Sequence, residues 1–448
     1  MVWQDFVFAC SMYPHGPDFH NRVSAELVGQ LLRLRNHPSI ALWCGNNEIE
    51  VAWQNWGWQA KYGLAPMDSF NLWQGYQELF HQVIPGLIDR YDPDRPYISS
   101  SPLSNWGKEE NFTRHDNHYW GVWHGTDDFD AYRTYVPRFM SEFGMQSYPV
   151  AESLEPYAEE GDLELGSEWM THRQKSYKGN DFLFDFTERW LGTPRDSRSA
   201  LLMSQLTQAI ALDIAISNQR FRNPFCMGTL YWQFNDCWPG PSWSTIDYEG
   251  RPKAAYYYVK RLFADEMINL DLYDKGGNEY VVSDHGNIGG EIRMETAHPD
   301  GSKRNSTQRP IHGKDGAKVI QSYWRAGGPY KFLNKGKEVA LLSWVRDGDT
   351  LATKIVHKLP LAEMKLYPTS YEVDIEEMKG GFRVKVSSDV FAKGVRLNLP
   401  GKKAEYSDQF FDLFPGHGHW VEVYTDGNIS SEKFREQLDI KSLIDWRE

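Results

Sequence analysis

The sequence predicts an α/β domain over residues 1–265, followed by two all-β sandwich modules over residues 266–360 and 361–448. Three observations predict it. Short apolar runs alternate with longer helical patterns in the first part. Helical periodicity fades after residue 265. Beyond that point, short segments of alternating polarity are punctuated by Gly, Asp, Lys and Thr. Strands that alternate with helices build a parallel sheet, whereas closely spaced alternating strands build antiparallel sandwiches.

Taken in order, WQDFVFA (3–9) reads as a strand and SAELVGQLLRLRNH (24–37) as an amphipathic helix that stops before Pro38. SIALWCG (39–45) is a continuous apolar strand. NLWQGYQELFHQVIPGLIDRY (71–91) is helical, with Pro85 expected to kink or break it. PYISSSP (96–102), DNHYWGVW (116–123) and RFMSEFG (138–144) read as further strands. A long helix (199–221), a strand MGTLYWQFND (227–236) and a closing helix AAYYYVKRLF (254–263) complete the part. The parallel sheet is either doubly wound or a barrel. A (β/α)₈ barrel needs eight strands in about 250 residues. Six strands are read here, so a barrel would be two short, and the missing pair would lie before Met1. In the second part YVVSDH, EIRMETA, KVIQSYW and VALLSWV read as strands of one sandwich. SYEVDIEEM, FRVKVSS, VRLNL, FFDLF and WVEVYT read as strands of the next.

Composition narrows the function. The net charge is −13 and the pI about 5.6, which argues against nucleic acid or an anionic membrane as partner, because both attract basic surfaces. There is no run of about 20 apolar residues that would span a bilayer. The opening MVWQDFVFACSMYP reads as a buried strand and not as a charged leader with an apolar core. Aromatic residues make up 15% of the chain, with 18 Trp. Aromatic rings stack on the C–H faces of sugars, but they also fill cores. Four cysteines (Cys10, Cys44, Cys226, Cys237) fit no zinc spacing and are expected to be buried free thiols. Sequons at Asn111, Asn305 and Asn428 permit glycosylation.

Two segments carry the candidate chemistry. In CGNNEIE (44–50) an apolar strand runs into Glu48, and in RFMSEFG (138–144) another runs into Glu142. The carboxyl ends of parallel strands are where barrel enzymes build their sites. Two carboxyl groups facing each other across a barrel mouth suit glycoside hydrolysis: one protonates the leaving oxygen, and the other attacks C1 or activates water. The plainer alternative is a loop carboxylate in a salt bridge. A third segment, GTLYWQFNDCWPGPSWSTIDYEGRPKA, puts Trp232 at a strand end, either as a floor for a sugar ring or as packing. The two histidines of HYWGVWH (118–124) have no metal-ligand spacing.

WQDFVFACSMYP, LWCGNNEIE, RFMSEFGMQS and the segment around Trp232 resemble the β-mannosidases of glycoside hydrolase family 2. The resemblance runs from Met1 to about residue 265 and returns at YSDQFFDLFPG (406–416). It implies an incomplete (β/α)₈ TIM barrel holding about strands 3–8, followed by two immunoglobulin-like β-sandwich domains. It also implies a retaining exo-glycosidase that removes terminal β-D-mannose from β-mannoside oligosaccharides, with no metal and no organic cofactor. By the same resemblance Glu48 is the acid/base and Glu142 the nucleophile. Asn47 contacts the sugar 2-hydroxyl, Tyr119 and Trp232 line the sugar subsite, and Asp5 and Trp56 are further pocket candidates. The roles require the two carboxyl groups to titrate apart, with Glu48 raised by the charge of Glu142. The implied setting is lysosomal, secreted or periplasmic. Two alternatives stay open: another exo-β-glycosidase of the family, such as a galactosidase or glucuronidase, or an inactive truncated carbohydrate-binding fragment. Galactosidases and glucuronidases of the family lack the WCGNNE wording.

Overall fold

A computed structural model describes residues 1–273, 276–286, 288–313, 316, 318–325, 333, 337–427 and 429–448; the sequon residue Asn428 lies outside them. The chain forms two compact units. The first comprises Met1–Gly121, Thr134–Phe143 and Pro224–Leu230, and the second comprises Val122–Arg133, Gly144–Asn223 and Tyr231–Glu448.

In the first unit the strands β1 (Val2–Asp5), β2 (Ile40–Cys44) and β3 (Tyr97–Ile98) form a parallel sheet in sequence order. The strands β4 (Asp116–His118) and β5 (Phe139–Glu142) pair in parallel beside each other. Single parallel bridges extend the series: Ser104 pairs with Asn117, and Met140 with Thr229. The predicted strand 227–236 is therefore reduced to isolated bridges at Thr229 and Asn235.

Helix Pro17–Leu34 begins with Pro at its first position, where a missing N–H costs nothing. It starts seven residues before the predicted helix. His20, Val23, Leu27 and Leu31 form its buried stripe at helical spacing. That stripe packs with Trp43, Phe80, Ile84 and Ile88 in one core cluster. The segment around Pro85 does not break. Helix Pro66–Glu78 passes through a π-helical turn, Leu79–Val83, into helix Ile84–Tyr91. Pro85 has no N–H to donate to the preceding turn, and the wider turn absorbs that loss.

In the second unit, helix Ser197–Phe221 is capped by Asp196, whose Oδ1 accepts from Ser199 N at 2.7 Å. By length and composition this helix could cross a membrane, yet 78% of its apolar window is buried inside the unit, as in a core helix. It packs against helices Gly179–Leu191 and Ala254–Leu262.

The β region holds β6 (Glu266–Tyr273), β7 (Gly276–Ser283), β8 (Gly289–Ala297), β9 (Asn305–His312), β10 (Val319–Arg325), β11 (Val339–Arg346) and β12 (Asp349–His357). They form two antiparallel sheets, β10-β7-β6 and β12-β11-β8-β9. Ile268 and Val281 of one sheet meet Ile292, Met294, Leu342 and Trp344 of the other in a single core. The last module contains β13 (Glu372–Met378), β14 (Gly381–Ser387), β15 (Ala392–Asn398), β16 (Ala404–Tyr406), β17 (Phe411–Leu413), β18 (Gly418–Thr425) and β19 (Asp439–Lys441). Its sheets are β13-β14-β18-β16 and β17-β15-β19. Phe382, Val384, Val421 and Val423 face Val395, Leu397 and Phe411 across its core. The thiols depart from expectation: all four are free, but only Cys44 and Cys226 are buried, while Cys10 and Cys237 are exposed.

Candidate active site

The site lies at the carboxyl ends of β1 to β5, within the first unit. At the end of β2 the chain turns through Gly45-Asn46-Asn47-Glu48. Gly45 is required there, because a Cβ would sit 2.3 Å from Ser99 O and 2.5 Å from Tyr97 Oη. Asn46 is fully buried. Its Oδ1 accepts from Ile49 N (3.1 Å) and Ser100 Oγ (2.8 Å), and its Nδ2 donates to Ser99 O (2.8 Å). These bonds fix the turn and leave Glu48 in the left-handed region, φ 60° and ψ 12°. A non-glycine residue held there costs on the order of 1–3 kcal/mol and persists only where its surroundings impose it. Here the Glu48 N–H donates to Ser101 O at 2.8 Å, and Asn47 N–H to Phe8 O at 2.8 Å.

Glu142 is the last residue of β5. Its backbone carbonyl accepts from Tyr119 N at 2.9 Å, and its Oε1 accepts from Trp120 Nε1 at 3.1 Å. Its side chain and that of Glu48 are each about 12% exposed. His118, the last residue of β4, stands between them. Its Nδ1 lies 2.9 Å from Glu48 Oε1 and 3.4 Å from Glu142 Oε2. One donor atom from each of the three residues falls within 4.8 Å of the others. On its other side His118 Nε2 meets Ser101 Oγ at 3.0 Å. Ser101 donates to Asp116 Oδ2 at 2.7 Å. Cys10 donates its S–H to Glu48 Oε2 at 3.3 Å.

Burial disfavours charge on both partners, and the charges themselves oppose it. Glu142 is pushed up to about 7, mainly by burial; the charge of Glu48 adds to this, while His118 and the Trp120 N–H pull it back. Burial would lower His118, but Glu142, then the hydrogen bond and charge of Glu48, outweigh it and push the imidazole up to about 9. Burial, then the charge and hydrogen bond of Glu48, push the Cys10 thiol up to about 12. For carboxyl groups this close the protons come off in steps that belong to the pair.

The chain resembles proteins that carry names. β-Mannosidase of Capra hircus is 34% identical over 310 residues, which cover 64% of this chain and 35% of that protein. β-Mannosidase B of Aspergillus terreus is 32% identical over 270 residues, 58% of this chain and 32% of that protein. The crystal structure of β-D-mannosidase from Dictyoglomus thermophilum superposes with a TM-score of 0.84 at 29% identity, over 99% of this chain and 53% of that one. The chain is similar to β-mannosidases over about 60% of its length. It spans about a third of the length of the curated relatives it matches. A mannosidase Ig-fold domain model matches residues 366–446, the module built by β13 to β19. The exo-chitosanase of Amycolatopsis orientalis shares the fold at 14% identity and a TM-score of 0.63.

The structure brings Glu48 and Glu142 together, with His118 between them. Asn47 is half-buried next to Glu48, and its Nδ2 reaches Cys10 Sγ at 3.7 Å. Asp5 ends β1, accepts from Trp3 Nε1 at 2.9 Å and is raised by burial. Tyr119 is 1% exposed. Its ring packs with Trp106, Phe112 and Tyr135, so it backs Glu142 from within the core rather than forming an open wall. Trp56 is 43% exposed beyond the helix that Glu48 caps, and its ring partner is Trp58. Trp232 belongs to the second unit and is 44% exposed. His118, Trp120, Ser101, Asp116 and Cys10 were missed. His118 carries the same signal as the two glutamates, a polar residue closing a strand.

Proposed function

We propose that the chain carries the catalytic pair of a retaining exo-glycosidase that hydrolyses terminal, non-reducing β-D-mannose residues by double displacement. The observation that carries this reading is the approach of Glu48 and Glu142 oxygens to within 4.8 Å, at the ends of two parallel strands. Retaining glycosidases hold their carboxyl groups about 5–5.5 Å apart, and inverting ones hold them about 6.5–9.5 Å apart to admit a water. Glu142 attacks C1 and forms a mannosyl-enzyme while Glu48 protonates the leaving oxygen. Glu48 then takes a proton from the water that releases mannose. Asn47, beside Glu48, binds the 2-hydroxyl, and Asp5 and Trp56 line the pocket. The named relatives support mannose as the sugar.

The fold reading belongs with this proposal. The parallel pairings run in sequence order from β1 to β5 and on to Thr229. Five parallel strands and the bridge at Thr229, in that order, fit strands 3–8 of a (β/α)₈ barrel, in which sites sit at the carboxyl ends. Residues 1–265 are then barrel, and 266–360 and 361–448 are the two sandwiches.

A panel of nitrophenyl glycosides tests the proposal. The β-mannoside is expected to be cleaved far faster than the β-galactoside or β-glucuronide, and Glu142→Gln and Glu48→Gln are each expected to lose that turnover. Faster cleavage of galactoside or glucuronide overturns the substrate. Full turnover by both variants overturns the mechanism.

A further inference from the structure

We propose that His118 is protonated on both ring nitrogens at rest and stores the proton that Glu48 delivers to the leaving oxygen. The role is one of positioning and supply, and it rests on the glycosidase reading above.

Asp116 receives three hydrogen bonds: Ser101 Oγ (2.7 Å) and Ser141 Oγ (2.8 Å) donate to Oδ2, and Leu103 N (3.0 Å) donates to Oδ1. A carboxylate with three donors is satisfied in its ionised form. Ser101 has one proton, and Asp116 takes it. Toward His118 the Ser101 oxygen can then only accept, so Nε2 must carry a hydrogen across the 3.0 Å contact. On the other side Nδ1 faces Glu48 Oε1 at 2.9 Å and Glu142 Oε2 at 3.4 Å. A bare nitrogen between two carboxylates would repel both, so a proton belongs there too. The ring is an imidazolium. It is 2% exposed, and the charged groups that face it are Glu48, Glu142, Asp116 and, from β1, Asp5. All four are acidic.

Chemistry at Glu142 moves this proton. The charge of Glu142 is the strongest influence favouring the imidazolium. When Glu142 bonds to C1 its charge is lost, and the support for the ring's charge goes with it. The Nδ1–H bond then breaks, and the hydrogen passes to Glu48 Oε1. Glu48 yields a proton to the departing oxygen, which leaves as a neutral alcohol. The site is left with a neutral His118 bearing hydrogen on Nε2, an ionised Glu48 and an ester on Glu142. In the second half Glu48 takes a proton from water and the resulting hydroxyl attacks C1. Glu142 leaves as carboxylate, and the proton returns from Glu48 to Nδ1. No proton is gained or lost over the cycle beyond those of water and product.

The test joins ¹⁵N NMR of the histidine-labelled chain to a leaving-group comparison. At pH 7 both His118 nitrogens are expected in the N–H form, with His118→Gln identifying the signals. A bare Nδ1 or Nε2 at that pH overturns the proposal. His118→Gln is expected to lose about 10²-fold or more in kcat/KM on an alkyl β-mannoside, whose oxygen needs a proton, consistent with the 10²–10⁴ that general acids contribute. On dinitrophenyl β-mannoside, which needs none, the loss is expected to stay under about tenfold. Ser101→Ala, which keeps the imidazole but removes the oxygen facing Nε2, is expected to show the same imbalance in smaller degree. Equal losses on the two substrates mean a merely structural role and overturn the proposal. If the unaltered chain cleaves no mannoside, the glycosidase reading fails instead, and the NMR result still decides the protonation of His118.

Discussion

Trp120→Phe isolates one hydrogen bond to the nucleophile. The indole is buried, and its Nε1–H donates to Glu142 Oε1 at 3.1 Å. Phenylalanine keeps an apolar ring there and removes only the donor. A hydrogen bond to a charged group is worth about 1.5–3 kcal/mol, and about 1.36 kcal/mol corresponds to one pKa unit. The bond favours the ionised carboxylate, so its loss raises Glu142 further, by about one to two units. Glu142 starts near 7 and would move to about 8–9 in the variant. At pH 7 the ionised fraction would fall from about half to about 1–10%, so kcat/KM should drop on the order of 5- to 50-fold. The assay is kcat/KM for nitrophenyl β-mannoside from pH 5 to 10. The acid limb should move to higher pH and activity should recover in part as the pH rises. An acid limb that stays in place, or moves down, refutes the assignment of Trp120 as a support for the charged form.

Two further outcomes follow from the geometry. The pH profile of kcat/KM in the unaltered chain should be bell-shaped, rising through about 7 as Glu142 ionises and falling through about 9 as His118 loses its charge. A flat profile across that window, or a single limb near 4.5, contradicts the site's electrostatics. In the β6–β12 module, Trp344 is fully buried and its Nε1 donates to Gly289 O at 2.8 Å. Trp344→Ala should cost about 3–5 kcal/mol by denaturant melt, and a cost under about 1 kcal/mol would show that the two sheets do not depend on this core.

Much of the fold was legible in the sequence where a single periodicity ruled. All nine alternating segments read beyond residue 265 fall on strands, because one face of each sheet is buried and the other is not. β9 escaped notice. Its sequence NSTQRPIH is exposed over most of its length and contains Pro310, and as an edge strand it pairs only with β8. Helix Gly179–Leu191 was also missed, since its aromatic stripe of Phe182, Phe184 and Phe186 hides the helical spacing of Leu183, Phe186, Thr187 and Leu191. The strand expected at 227–236 shows the opposite error: apolar and aromatic residues in a row suggest a ladder, but the segment makes only isolated bridges, at Thr229 and Asn235.

At the site, Glu48 and Glu142 were legible because each is a lone carboxylate closing an apolar strand. The mediator between them was not. His118 acts through a contact with Glu48 across 70 positions of chain and a second with Ser101, and no local pattern encodes such a meeting. The left-handed backbone of Glu48 was equally hidden. It depends on Gly45 and on the buried Asn46, whose partners Ser99 and Ser100 come from beyond β3.

The central claim is that Glu142 becomes covalently bound to the sugar. The most direct measurement is mass spectrometry of the chain after reaction with 2-deoxy-2-fluoro-β-mannosyl fluoride, which forms the intermediate readily and releases it slowly. The account predicts one fluoromannosyl group per chain, mapping to the peptide that contains Glu142 and absent from Glu142→Gln. A label on Glu48 or another residue, or turnover of mannoside with no label under any condition, would contradict it.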